Sequence, residues 1–202
     1  VAVSSGVPSI TFELRRMCER YLDLEPVILG TGVKTGMPVL YDNPREVGAD
    51  RIANAVGAYD LYGGPTIVVD FGTATTLDVI SSSGEYRGGA IAPGIRLAHD
   101  ALVSRAARLH KVDLEPPPSP SGGKTIHAMQ SGIFWGYVAL VEGMVARIRA
   151  VMEQSGEHNI QVIATGGLAR LFHQHTDVID RIAPELTLDG LRLIYERNRL
   201  GG

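Results

Sequence analysis

Apolar residues recur along this chain at helical spacing in some stretches and as short β-branched runs in others, and their alternation predicts an α/β protein. Ile10, Leu14, Met17, Tyr21 and Leu22 fall on one face of a helix that Pro8 and Ser9 open. Pro26 to Leu29 reads as a short strand, and Gly30 to Asn43 as a loop. A second helix, from Asp50 to Tyr62, shows apolar positions at Ile52, Val56 and Tyr59 and stops at Gly63-Gly64. That glycine pair is the expected domain boundary, with residues 1–63 in one domain and 64–202 in the other. The second domain opens with a strand from Thr66 to Val69, turns through a hairpin at Ser81 to Gly84, and continues in a strand from Tyr86 to Ala92. Pro93-Gly94 leads into a helix that starts at Ile95 and runs to about Leu109. Pro116 to Gly123 is an exposed linker whose prolines forbid regular structure. A long helix from Thr125 to Met152 follows, then a strand from Gln161 to Thr165 and a helix from near Leu168. A terminal helix runs through Leu191, Ile194, Tyr195 and Leu200, with Arg192, Arg197 and Arg199 on its wet side.

The long helix carries two stripes. Met129, Ile133, Tyr137, Leu140, Met144 and Ile148 are ordinary core. Gly132, Gly136, Ala139 and Gly143 form a second line of small residues, and each interior glycine costs about 1 kcal/mol relative to alanine. Such a line implies close approach by another helix, either within the domain or across a subunit interface, with Trp135 beside it in either case.

Composition narrows the class. The chain has 202 residues, 45% of them hydrophobic, which is ample for one sizeable core or two small ones. A net charge of −3 with scattered basic residues argues against a nucleic-acid surface. The single cysteine, Cys18, rules out an internal disulfide framework and suits a reducing cytoplasm, where it is expected to be a buried structural thiol. No apolar run is long enough to span a bilayer, and the first residues are not a signal peptide. The expected compartment is therefore the cytoplasm. The six histidines show no metal-ligand spacing.

Candidate chemistry is concentrated in two segments. In Thr66-Ile-Val-Val-Asp-Phe-Gly-Thr-Ala-Thr-Thr76 a buried strand runs into a carboxylate, a glycine and three hydroxyls. Backbone N–H groups near Gly72, with Thr73, Thr75 and Thr76, are suited to phosphate oxygens, and Asp70 to a cation. An ordinary hairpin accounts for the stretch equally well. In Gly48-Ala-Asp-Arg51 a loop becomes a helix, and Asp50 alone reads most simply as its N-cap, although Ala53 stands where a capping-box partner would be. Arg51 is a cation suited to an anionic substrate or simply an exposed helix arginine. Gly166-Gly167, at a strand-to-helix turn, lets a flat ligand or phosphate approach the backbone, and close packing selects glycine there too. Gly123-Lys124-Thr125 is not a P-loop, because Pro118 occupies a required glycine position. Asp70-Phe71-Gly72 is not the kinase metal triplet, because no catalytic-loop motif precedes it.

Taken together, Tyr41 to Arg51, Asp70 to Thr76, Gly88 to Gly94, Lys124 to Gly132 and Ala164 to Gly167 resemble, in order and across almost the whole chain, the type III pantothenate kinases. The resemblance implies two ribonuclease H-like domains of the acetate and sugar kinase/Hsc70/actin type. It also implies transfer of the ATP γ-phosphoryl group to pantothenate. Asp50 would then be the catalytic proton acceptor, and Tyr41, Gly48, Ala49, Asp50, Arg51 and Thr125 would bind pantothenate. Gly72, Thr73, Gly166 and Gly167 would bind ATP, with Mg2+ travelling on the nucleotide, and Asp70 would hold a monovalent cation, K+ or NH4+. A homodimer is implied, and neither a nucleic-acid nor a membrane partner. These enzymes open with an Asp-x-Gly-Asn-Thr phosphate loop, whereas this chain begins Val1-Ala-Val-Ser-Ser-Gly6, which reads as a later strand. The first domain is accordingly expected to be truncated at its N-terminus. A second reading, a non-catalytic accessory or binding protein on the same fold without a complete ATP site, stays open beside the kinase.

Overall fold

The structure, a computed structural model, describes residues 1–199, so Leu200 of the expected terminal helix lies outside the described residues. Strands β1 (Ala2–Val3) and β2 (Val27–Ile28) form a small parallel pair, joined by helix α1 (Pro8–Met17) and one π-helical turn (Cys18–Leu22). The expected apolar face of α1 meets no core here. Ile10, Met17, Tyr21 and Leu22 are exposed, and α1 itself has no buried residue, whereas Cys18 is fully buried. A left-handed residue, Asp23 (φ 51°), ends the turn where the sequence pattern alone ran on as uninterrupted helix.

Helix α2 (Ala49–Tyr62) precedes a three-strand meander, β3 (Thr66–Phe71), β4 (Ala74–Ile80) and β5 (Tyr86–Pro93). Helices α3 (Ile95–Arg105) and α4 (Thr125–Gln154) come next, followed by β6 (Gln161–Thr165), α5 (Ala169–His173), β7 (Arg181–Ile182) and α6 (Leu186–Arg199). The sheet order is β5-β4-β3-β6-β7, with the meander antiparallel and β6 and β7 parallel to β3. Strand β3, pure β-branched core from Ile67 to Val69, is thus the centre of the sheet. The two-residue strand β7 has too few apolar positions to show in the pattern. Helix α3 ends four residues earlier than the periodicity suggested, its cap at Ala106 being extended.

Side chains alternate across the sheet, and each face has its own core. Ile67, Val69, Phe71, Leu77 and Val162 pack against α4 and α5, where Phe134 and Phe172 stack 5.6 Å apart. Val68, Ile80, Tyr86 and Ile163 pack against α2 and α6 through Val56, Leu186 and Ile194. Helix α2 therefore shares a core with the sheet that follows Gly63-Gly64, across the expected domain boundary.

The glycine stripe of α4 corrects one of the two packing readings. Among the described residues, a Cβ built on Gly132 or Gly136 meets nothing within 4 Å beyond its own stretch of helix, and at Gly143 it meets only the tip of Arg147. Close packing within the domain does not account for these glycines. Among the described residues no helix is long and apolar enough to cross a membrane.

Candidate active site

Because Asp70 pairs with Thr76 and Val68 with Asp78, the side chains of Asp70, Thr76 and Asp78 point to the α2/α6 face. Thr75 pairs with Phe71 and is buried on the opposite face, at 1% exposure. The expected trio of hydroxyls is thus split by the two-residue period of the strand. Thr73 sits at the exposed hairpin tip, and Thr76 donates to Asp78 Oδ2 at 3.1 Å. The segment is a hairpin after all, but one at the centre of the sheet, with Gly72 N donating to Ala74 O. Gly72 does not adopt a left-handed conformation, and a Cβ on it would meet nothing closer than 3.4 Å. Neither the turn nor packing demands glycine there.

Helix α2 delivers the second set of groups. Its cap is Gly48, not Asp50, which is the second helical residue. The Asp50 carboxylate folds back to accept the Arg51 N–H at 2.9 Å, and a Cβ on Gly48 would come within 2.6 Å of its Oδ1. A glycine before the helix thus leaves room for an exposed carboxylate at a terminus whose dipole favours negative charge. Arg51 is neither exposed nor free. Its guanidinium meets Asp78 Oδ1 through Nη2 at 2.6 Å and Nε at 2.7 Å, with exposures of 9% and 0% for the two side chains. Tyr86 Oη donates to the same oxygen at 2.7 Å. Burial works against the Arg51 charge, but the adjacent Asp78 carboxylate outweighs it and holds the guanidinium above its ordinary value. The Pro38–Leu40 stretch pairs with Tyr86 by two backbone hydrogen bonds, 2.9 and 2.8 Å long. That bridge lays the Tyr41 ring over Gly88, where a Cβ would be 3.3 Å from Cε2.

Asp70 is half-buried. Its Oδ2 accepts from Asn54 Nδ2 at 2.9 Å, and among the described residues no donor reaches Oδ1. Burial pushes this carboxyl above the usual range, the Asn54 hydrogen bond pulls it back, and the charges of Asp50 and Asp78 add to the rise. A native state with a raised carboxyl pKa keeps its proton to higher pH than the unfolded chain. The stability this group contributes is present below the ordinary carboxylate range and lost as pH rises through the raised value. Asp70→Asn is therefore expected to melt at or above the wild-type temperature at neutral pH, with the gap closing towards acid pH, as calorimetry across pH would read. A half-buried carboxylate that costs stability is a functional signal. Among the described residues no group of three His, Cys, Asp or Glu side chains is arranged to hold a metal ion. The Asp70 Oδ1 atom lies beside the Phe71 carbonyl, and a Cβ on Gly166 would come within 2.6 Å of each of those two oxygens.

That crowding, with φ +88°, makes Gly166 a requirement of packing; Gly167, whose Cβ would meet nothing, is open. Both stand at the end of β6, beside Asp70.

The family model of type III pantothenate kinases matches residues 1–147. This chain is 54% identical over 198 residues to the type III pantothenate kinase of Moorella thermoacetica, covering 98% of this chain and 76% of that protein. It is 52% identical over 199 residues to that of Koribacter versatilis, covering 98% and 71%. The chain belongs to the type III pantothenate kinase family. The solved structure of a conserved Baf family protein from Campylobacter jejuni, described as a transcriptional activator, superposes with a TM-score of 0.61 at 23% identity. It covers 93% of this chain and 79% of that one, a likeness of fold alone.

Of the residues that resemblance to the pantothenate kinases singled out, Asp50 and Asp70 lie close enough for their charges to interact, Tyr41 lies near Arg51, and Gly166 abuts Asp70, while Gly48 and Ala49 also line a cavity of about 680 Å³ with Gly30 and Val39. Thr125 stands apart at the exposed start of α4, in a groove of about 520 Å³ with Ala98, Leu102 and Leu109 that none of those other site residues lines. Sequence reasoning passed over Asp78, Asn54 and Tyr86. Two of them carried a signal: a carboxylate between Leu77 and Val79 in a strand, and an amide between Ala53 and Ala55 in a helix, are polar groups in apolar runs.

Proposed function

We propose that this member of the type III pantothenate kinase family transfers the γ-phosphoryl group of ATP to the primary hydroxyl of pantothenate. The products are ADP and 4′-phosphopantothenate, in the opening step of coenzyme A synthesis. The observation that carries the reading is the exposed Asp50 carboxylate, held at the N-terminus of α2 beside Asp70, in a chain more than half identical to enzymes of that name. Asp50 orients the hydroxyl and receives its proton as the phosphoryl group arrives. The transition state of such transfers is loose, so positioning and charge outweigh the base itself. Tyr41, Gly48, Ala49 and Arg51 line the pantothenate side, with Arg51 anchored from behind by Asp78. Thr125, in its own groove between α3 and α4, is left out of that pocket. On the nucleotide side, Gly72 and Thr73 at the hairpin tip and Gly166-Gly167 receive ATP with its Mg2+. The absence of any packing reason for glycine at 72 and 167 supports a ligand there. Asp70, through Oδ1, would hold K+ or NH4+, and the ion would supply positive charge near the phosphates.

The order of the five-stranded sheet, a meander followed by two parallel strands, supports a ribonuclease H-like domain in residues 64–202, onto which α2 of residues 1–63 also packs. The bare stripe at Gly132, Gly136 and Ala139 supports a homodimer across α4. Light scattering is expected to give twice the chain mass, and a monomer would end that assignment. The cytoplasm, where ATP and pantothenate meet, is the compartment we assign.

Pantothenate-dependent ADP release, measured with magnesium and potassium, tests the reading. Turnover supports it. Pantothenate binding by calorimetry without turnover would instead favour an accessory protein on the kinase fold.

A further inference from the structure

The Asn54 side chain that holds Asp70 is itself wholly buried. A side-chain amide can present its nitrogen or its oxygen, and with the oxygen forward it would set two acceptors against each other. Its direction is decided from the far side. Thr187 Oγ1, on the second residue of α6, donates to Asn54 Oδ1 at 2.6 Å, so Nδ2 must face Asp70. The two residues lie 133 positions apart in the chain.

What brings them together is a crossing of α2 and α6 at backbone contact. A Cβ on Gly190 would lie 1.8 Å from the Ala53 carbonyl oxygen, and one on Gly57 would lie 2.7 Å from that of Leu186. These glycines flank the Thr187–Asn54 hydrogen bond along the two helices, so α6 cannot shift without either opening the bond or colliding. Valine would fill the same space as Thr187 if packing were its whole task, but it has no proton to donate.

We infer that Thr187, acting through Asn54, is a positioning residue for Asp70. It fixes the amide so that one carboxylate oxygen is tied and Oδ1 is left for a monovalent ion. The inference rests on the reading of Asp70 as the cation carboxylate. Groups that orient a ligating residue from behind commonly account for about 10–100-fold in metal affinity. Without the Thr187 hydroxyl the amide is free to turn its oxygen on Asp70, which disfavours the ionised carboxylate and weakens its hold on a cation.

The test is a thermal-shift titration of the full chain with potassium chloride against sodium chloride at constant ionic strength, in magnesium and ADP. Potassium activation of turnover is followed in parallel. Thr187→Val is expected to raise the half-saturating potassium concentration on the order of tenfold in both readouts, with KM for pantothenate unchanged, and Thr187→Ser to restore it. A wild-type potassium response in Thr187→Val, with the response lost in Asp70→Asn, would overturn the positioning role alone. If wild type shows no potassium-specific shift, or Asp70→Asn keeps it, the cation reading of Asp70 fails and the role of Thr187 fails with it.

Discussion

Asp50→Asn is expected to lower kcat for pantothenate phosphorylation by about 10²–10⁴-fold, the usual worth of a general base, and to leave the fold intact. The side chain is exposed and makes one local hydrogen bond, to the Arg51 N–H, which the amide oxygen of asparagine can accept equally well. The only stability cost is the lost attraction between a carboxylate and the start of α2, about 0.3–1 kcal/mol. Steady-state kinetics beside a melting curve separate the two effects. Near-wild-type turnover in a folded Asp50→Asn protein would remove Asp50 as the base and leave positioning as the whole mechanism.

The second large effect falls on stability. Asp78→Ala leaves the Arg51 guanidinium buried without its counter-charge and strips Tyr86 Oη and Thr76 Oγ1 of their acceptor. Breaking a buried pair from one side costs about 3–5 kcal/mol, so this variant is expected to unfold at much lower urea than wild type. Removing the whole cluster in Arg51→Met/Asp78→Leu/Tyr86→Phe should recover most of that loss, because burying charges and hydroxyls is itself expensive. The triple variant is nevertheless expected to stay inactive, since Arg51 no longer lines the pocket. A triple variant as unstable as Asp78→Ala would show that the ion pair contributes to the fold beyond its own desolvation. An active triple variant would remove Arg51 from the pantothenate site.

Much of this molecule was legible along the chain. Local periodicity located α2, α4 and β6, because a helix or strand that buries one face must repeat its apolar residues at that element's own period. Order and spacing of the motifs carried the family and brought out Asp50, Asp70 and the glycines, whose chemistry is written in residue type. The partners of those groups were not legible. Arg51 could be read as a free cation because Asp78 is 27 positions away and its approach depends on strand register. The trio of hydroxyls came apart because the same register sends Thr75 to the far core. The face of α1 was correctly apolar, yet nothing in a repeat of residues says whether a partner covers it. Sequence alone determined which groups can hold charge, donate or accept. Only the fold decided which of them meet, because contacts such as Thr187 with Asn54 depend on two helices crossing at glycines that no local pattern connects.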